Sequence, residues 1–107
     1  MKLIIAIINY DDAGSVIESL SKSGFSSTRL STTGGFLLAG NVTLLIGVED
    51  KQVQEAIDII REHSHSRRQL MPAITEMSHG FMPVMPVEVT VGGATLFVVD
   101  VERFERL

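Results

Sequence analysis

The sequence contains no cysteine, and its acidic residues outnumber its basic ones. Without cysteine the chain can form neither disulfides nor thiolate metal sites, which is consistent with a reducing compartment. The formal net charge of -4 argues against a nucleic-acid binder, because that role needs a basic face. The apolar runs are too short to cross a membrane, and the opening MKLIIAIINYDD is too short and wrongly flanked for a signal peptide. We therefore expect a cytoplasmic protein with one domain, residues 1–107.

Motifs for catalysis and for phosphate-loop ATPases are also missing. The sequence has neither GxSxG nor GxxxxGK[ST]. Small acylphosphatases need a phosphate loop and an arginine after their first strand, but INYDDAG is acidic there. The acidic pairs Asp11-Asp12 and Glu49-Asp50 lie where helix N-caps belong, so we interpret them as caps. We expect no enzymatic activity and no cofactor.

Apolar periodicity predicts strands alternating with helices. Leu3–Ile8 and Val42–Val48 are apolar runs typical of buried strands, and Thr28–Thr33 alternates as a further strand. Two segments have the i, i+3, i+4, i+7 spacing of amphipathic helices, the first expected to end at Gly24. The apolar residues of these helices are Ala13, Val16, Ile17 and Leu20, and Val53, Ala56, Ile57 and Ile60.

The C-terminal stretch VEVTVGGATLFVVDV predicts two strands joined by a tight turn at Gly92-Gly93. The resulting order, βαββαβ with an extra C-terminal strand, is the ferredoxin-like pattern of an α+β fold. Two helices cover one face of such a sheet, yet the strands are apolar on both sides. An exposed apolar sheet face usually marks an interface, so we expect an oligomer, either a dimer or a trimer.

The segment His63–Pro86 has no regular period and contains all three prolines and all three histidines. We interpret it as a long loop, which in a compact domain is usually functional or disordered. Its Arg67-Arg68 pair is interpreted as a solvated feature. The histidine spacing matches no standard metal site, so we expect no bound metal.

The stretch STTGGFLLAGN, residues 31–41, is uncharged and rich in glycine. Gly34-Gly35 permits positive φ and a close backbone approach, and successive N–H groups in such a turn can bind an anion. Phe36 offers a stacking surface, and Asn41 can both donate to and accept from a base. The residues alone leave two interpretations open: a ligand with a phosphate and a base, or an ordinary hairpin that needs glycine.

The stretches FSSTRLSTTGGFLLAGNVTLLIGVEDKQVQEAIDIIRE and PVEVTVGGATLFVVDVERFERL resemble the PII-like cyclic-di-AMP receptor family. The most specific element is T-GGFL-x-x-GN-x-T-L-x-IGVED. This resemblance implies a homotrimer whose sheets face one another around the threefold axis, with cyclic-di-AMP bound in the clefts between subunits. It further implies a non-enzymatic receptor in which the loop at residues 63–86 responds to the ligand and passes the change to a downstream protein.

Carried over by position, the resemblance implies a ligand site of six residues: Thr28, Gly35, Phe36, Leu37, Asn41 and Gly47. Thr28 is expected to contact the ligand through its hydroxyl and backbone, and residues 35–37 to line the adenine and phosphate pocket. Asn41 is expected to hydrogen-bond an adenine edge. Gly47 is expected to let the strand backbone approach the base.

One position departs from the family pattern. The family often has arginine two residues before Thr28, whereas this sequence has Ser26. The missing charge-assisted contact to phosphate is worth on the order of 1.5–3 kcal/mol. Arg29 is a poor substitute, because it is expected on the other face of the strand. Ser26 motivates one alternative, a PII-like module for ATP, ADP or a metabolite anion. A second alternative is a trimeric interaction protein whose His63–Pro86 segment contacts a metal or a partner.

Overall fold

The computed structural model describes residues 1–30, 40–71 and 87–107. Within these ranges, six strands and two α-helices follow one another along the chain. The elements are β1 (Lys2–Asn9), α1 (Tyr10–Lys22), β2 (Ser27–Leu30), β3 (Asn41–Val48), a 3₁₀ helix (Asp50–Gln52), α2 (Val53–Ser64), β4 (Arg67–Met71), β5 (Val87–Val91) and β6 (Ala94–Asp100). No helix in this part of the chain is long and apolar enough to cross a membrane.

The main sheet has four strands in the order β2-β3-β1-β6, and every neighbouring pair is antiparallel. The isoleucine-rich strand β1 lies in the interior of this sheet, as its continuous apolar run predicts. Both helices pack against β1 and against each other. This arrangement is the ferredoxin-like βαββαβ topology, with β6 as its last strand. The predicted α+β class is confirmed.

The core lies between the sheet and the helices because alternate strand residues point to the same face. Its strand and helix residues are Ile4, Ala6, Ile8, Val42, Leu44, Ile46, Val48, Ala13, Val16, Leu20, Ala56 and Ile60. The intervening residues form the other face of the sheet, which we call the open face. In the single chain Leu3, Ile5 and Leu45 on this face are only half-buried.

The N-cap of α1 differs from the predicted one, whereas the other predicted helix ends agree with the structure. Asn9, not Asp11 or Asp12, caps α1: its side-chain oxygen accepts a hydrogen bond from the Asp11 N–H at 2.9 Å. The two aspartates occupy the first turn, where carboxylates interact favourably with the helix dipole. Of the predicted pair Glu49-Asp50, Glu49 is the N-cap of the 3₁₀ helix and Asp50 is its first residue. Gly24 follows the α1 C-cap with φ of +87°, as predicted.

The predicted hairpin at Gly92-Gly93 is wrong. β5 pairs with β4, while β6 pairs with β1, so the two glycines connect two different sheets. The strands added to the ferredoxin-like order are therefore β4 and β5, a two-stranded ribbon inserted before the last strand, and not an extra C-terminal strand. The segment predicted as a loop from His63 to Pro86 begins with regular structure, because His63 and Ser64 end α2 and residues 67–71 form β4.

The base of the ribbon is tied to the start of α1 by an ion pair. Two guanidinium nitrogens of Arg67 donate to the two carboxylate oxygens of Asp12, at 3.0 and 3.3 Å. The Asp12 side chain is buried, and its hydrogen bond raises the pKa of Arg67 above its ordinary value. The prediction that Arg67 is solvated is therefore wrong, whereas Arg68 is exposed. Sequence patterns miss this pair because its members are 55 residues apart.

Candidate functional site

A cavity of about 520 Å³ lies at the end of the main sheet where β1 begins and β3 ends. Its volume falls in the range of small-molecule sites, roughly 300–1,000 Å³. It is lined by Met1, Leu3, Gly24, Phe25, Ser26, Thr28, Leu45, Gly47, Val48, Glu49, Gln52, Val101, Phe104 and Arg106. The lining therefore comes from the start of β1, the α1–β2 connection, the end of β3 and the segment after β6.

The connection between α1 and β2 is positioned by a turn and an apolar anchor. Gly24 has positive φ, which glycine adopts without steric cost, and the Phe25 N–H donates to the Leu20 carbonyl at 2.9 Å. The Phe25 side chain is buried in the core. Because Phe25 is fixed, the following Ser26 and Thr28 are held in the lining of the cavity.

Thr28 and Gly47, two of the predicted ligand-binding residues, line this same cavity. Thr28 lies opposite Leu45 in the β2–β3 register, and Gly47 lies opposite Leu3 in the β1–β3 register. A Cβ built on Gly47 would meet no atom within 4 Å. Glycine inside a strand often marks a place where a ligand approaches the backbone, and the open space beside Gly47 is suited to that.

Asn41, another predicted residue, is at the opposite end of β3. It pairs with Asn9 in the β1–β3 register and is not part of the cavity lining. Gly47 lies six residue steps further along the strand, which corresponds to about 20 Å. Within one chain, the structure therefore does not bring Asn41 together with Thr28 and Gly47. The predicted residues Gly35, Phe36 and Leu37 lie outside the described residues.

Ser26, at the position where the family resemblance implies an arginine, lines the cavity. Arg29 does not reach this wall, because its guanidinium lies over the ring of Tyr10, 5.4 Å from the centroid. Thr28 and Arg29 are consecutive strand residues and point to opposite faces. The sequence-based view that Arg29 cannot replace a cation at position 26 agrees with this geometry.

The segment after β6 contributes three cavity residues that the sequence did not indicate: Val101, Phe104 and Arg106. The Val101 N–H donates to the Met1 carbonyl at 3.2 Å, which holds the segment beside the start of β1. Phe104 lines the cavity and is 63% exposed in the single chain. The apolar and charged residues of VERFERL indicate that this segment packs one side against the protein. They do not indicate which part of the molecule it contacts.

The cavity offers hydroxyl groups, open backbone, an aromatic ring and one cationic side chain. These groups can bind a ligand with bases and phosphates through hydrogen bonds, stacking and charge. Within residues 1–30, 40–71 and 87–107, no cluster of three or more His, Cys, Asp or Glu side chains is arranged to hold a metal ion. The site thus has the composition of a small-molecule binding pocket on a ferredoxin-like scaffold.

The whole chain, residues 1–107, matches the family model described as cyclic-di-AMP receptor. The chain belongs to this family, which confirms the resemblance found in the sequence. It is also similar to a functionally unknown protein from Pediococcus pentosaceus, whose crystal structure superposes with a TM-score of 0.74. The two sequences are 40% identical, and the match covers 99% of this chain and 96% of that one.

Proposed function

We propose that this protein is a non-enzymatic receptor that binds cyclic-di-AMP in the clefts between the subunits of a homotrimer. The observation that carries the proposal is the cavity lined by Thr28 and Gly47 in a chain that belongs to the cyclic-di-AMP receptor family. The ligand has two adenines and two phosphates. Hydroxyl groups, backbone donors and an aromatic ring are suited to both parts of it.

The location of the cavity supports a site shared between subunits. Leu45 and Thr28 line the cavity. The same two residues lie in one cross-strand row with Ile5 and Phe97, and this row runs across the open face of the sheet. The Phe97 side chain is 53% exposed in the single chain. A neighbouring subunit packed on this apolar face would therefore also form a wall of the cavity.

The separation of Asn41 from Gly47 supports the same arrangement. Both residues are exposed, and they lie at opposite ends of β3. In a homotrimer each cleft receives one region from one subunit and a different region from its neighbour. A shared cleft is therefore the arrangement in which both ends of β3 can contribute to ligand binding.

We further propose that the segment at residues 63–86, which includes β4, is the element that responds to the ligand. Its base is attached to α1 through the Arg67–Asp12 ion pair, and α1 follows directly from Asn9, which pairs with Asn41. The Tyr10 N–H also donates to the Gly40 carbonyl at 2.8 Å, beside the glycine-rich stretch. A ligand that displaces residues near Asn41 therefore has a short route of contacts to the ribbon.

Isothermal titration of the purified protein with cyclic-di-AMP tests the proposal, with cyclic-di-GMP and ATP as controls. Saturable binding of one cyclic-di-AMP per subunit is expected, with little response to the controls. A preference for ATP would favour the other nucleotide-binding module, for which Ser26 is the motivating observation. Absence of cyclic-di-AMP binding would overturn the proposed function.

Substitution Asn41→Ala tests whether the amide contributes to the site. Because a ligand hydrogen bond would be lost, cyclic-di-AMP binding should weaken by about 1 kcal/mol, or roughly fivefold. The fold should be unaffected, since the Asn41 side chain is exposed. The measurement is titration of the variant beside the unchanged protein, with thermal melting as the control. Equal affinities would remove Asn41 from the site.

A further inference from the structure

The cavity contains a cation that is not part of the site expected from the sequence. Among its lining residues, Arg106 has the one cationic side chain and Glu49 the one anionic side chain. The phosphate groups of a cyclic dinucleotide are anionic, so Glu49 repels them. A binding site for such a ligand on this wall needs positive charge, and Arg106 is in a position to provide it.

Several other cations of the described chain are engaged elsewhere. Lys2 pairs with Asp100, Arg103 with Glu105 and Arg67 with Asp12. By contrast, Arg106 forms no ion pair or hydrogen bond with another residue in the described ranges. Its guanidinium thus keeps its donors available in a fork that matches two oxygens of a phosphate.

The path of the C-terminal segment explains how Arg106 reaches the cavity. The segment leaves β6 next to β1, where the Val101 N–H binds the Met1 carbonyl at 3.2 Å. It then places Phe104 and Arg106 in the lining of the cavity that Ser26 also lines. A residue far from position 26 in sequence therefore shares a cavity with the position at which the family resemblance implies an arginine.

We infer that Arg106 is the phosphate-binding cation of this receptor and supplies the positive charge that the family resemblance implies at position 26, where this chain has serine. The inference rests on the proposed function, since it names a determinant of affinity in the same site. Phe104, next to it on the wall, supplies an aromatic surface for a base. The C-terminal segment is thus part of the ligand site and not only an extension of the fold.

Titration of Arg106→Gln with cyclic-di-AMP tests the inference, and Arg103→Gln is the matched control. Both variants lose one positive charge from the same segment, but Arg103 pairs with Glu105 and does not line the cavity. Arg106→Gln should weaken binding by about tenfold to a hundredfold, the usual value of a charge-assisted hydrogen bond. Arg103→Gln should change it by less than about threefold, as for a screened surface charge.

A second variant tests the equivalence with position 26. Adding Ser26→Arg to Arg106→Gln should restore most of the lost affinity, because both positions face the same cavity. Wild-type affinity in Arg106→Gln, or equal losses in Arg106→Gln and Arg103→Gln, would overturn the inference while the proposed function stands. Absence of binding by the unchanged protein would overturn both. Thermal melting of each variant shows that the loss arises in the site and not from unfolding.

Discussion

At the scale of single residues, the proposed ligand site depends on a small residue, Gly47, as well as on a charged one, Arg106. Gly47 lies within β3. Glycine is normally unfavourable inside a strand, because it loses more backbone entropy on folding than other residues and has no side chain to pack. The space beside it is open, so the fold does not require glycine there. Under the proposed function, close approach of the ligand to the backbone is a physical reason for a glycine at this position.

The substitution Gly47→Val should therefore abolish ligand binding without lowering the stability of the fold. The side chain would enter the cavity and block the ligand, while a β-branched residue suits a strand. We expect cyclic-di-AMP binding to fall below detection and the melting temperature to stay the same or rise. Titration and thermal melting are the two measurements.

Gly14→Ala is the control for Gly47→Val, since a Cβ at Gly14 also meets no atom within 4 Å. Gly14 lies on α1 outside the cavity lining. The alanine should stabilise the helix by about 0.5–1 kcal/mol and leave binding unchanged. A Gly47→Val protein that binds normally would show that the ligand does not approach β3.

The side chain of His63, at the end of α2, has hydrogen-bond partners on both ring nitrogens. Two serines of α1 hold the His63 ring, with Oγ of Ser15 3.1 Å from Nδ1 and Oγ of Ser19 2.9 Å from Nε2. Both ring nitrogens thus have partners that join the two helices. This geometry favours a structural role for His63 over the metal-contacting role in the alternative hypothesis.

At the scale of elements, the junction between the ribbon and the main sheet is the part that the sequence pattern misrepresented. Gly92-Gly93 between two β-branched runs is a typical hairpin signal. In the structure both glycines do have positive φ, of +83° and +84°, but the strands on either side pair with different partners. Local turn chemistry was therefore predicted correctly and the pairing was not.

The two glycines of this junction should differ in their tolerance of a side chain. A Cβ on Gly92 would lie 2.6 Å from the His65 carbonyl oxygen and 2.7 Å from an Arg67 guanidinium nitrogen, whereas a Cβ on Gly93 would meet nothing closer than 3.6 Å. Gly93→Ala should thus show only the backbone cost of positive φ, about 1–2 kcal/mol. Gly92→Ala should be less stable than Gly93→Ala, because it also displaces the Arg67–Asp12 pair.

Chemical denaturation of both glycine variants measures this difference. Hydrogen exchange in β4 and β5 gives a second readout, which should be faster in Gly92→Ala than in Gly93→Ala if the junction holds the ribbon in place. Equal stability of the two variants would contradict the close packing around Gly92.

At the scale of the whole molecule, the exposed apolar residues of the open face favour association of the chain with further copies of itself. Phe97 and Val99 on β6 are 53% and 42% exposed, and they lie in register with Ile5 and Leu3. A row of exposed apolar residues across neighbouring strands is costly in water. Covering this face with further copies of the chain would remove that cost and complete the cavity.

Phe97→Lys should disrupt the proposed trimer, because it places a charge among the apolar residues of the open face. Light scattering should give the unchanged protein three times its chain mass of 11.7 kDa and give the variant a smaller assembly. Ser21→Lys adds the same charge at an exposed helix position and serves as the control. Cyclic-di-AMP binding should be lost together with the trimer, since the cleft requires two subunits. A Phe97→Lys trimer of full mass would place the interface elsewhere.

The sequence by itself determined the helices, most strands and the family, because these depend on residues near one another along the chain. Apolar spacing defined α1 and α2, Gly24 defined a helix end, and the glycine-rich stretch followed by Asn41 defined the resemblance. Each of these signals is local, so no knowledge of the fold was needed to use them.

Only the tertiary structure decided which strands pair and which residues share the cavity. The pairing of β5 with β4, the Arg67–Asp12 ion pair and the return of Arg106 to the wall with Ser26 all join residues distant in sequence. Such contacts depend on the combined packing of the sheet and helices, and no short-range pattern encodes them. For this reason the position-based prediction included Thr28 and Gly47, which line the cavity, and missed the cation at position 106.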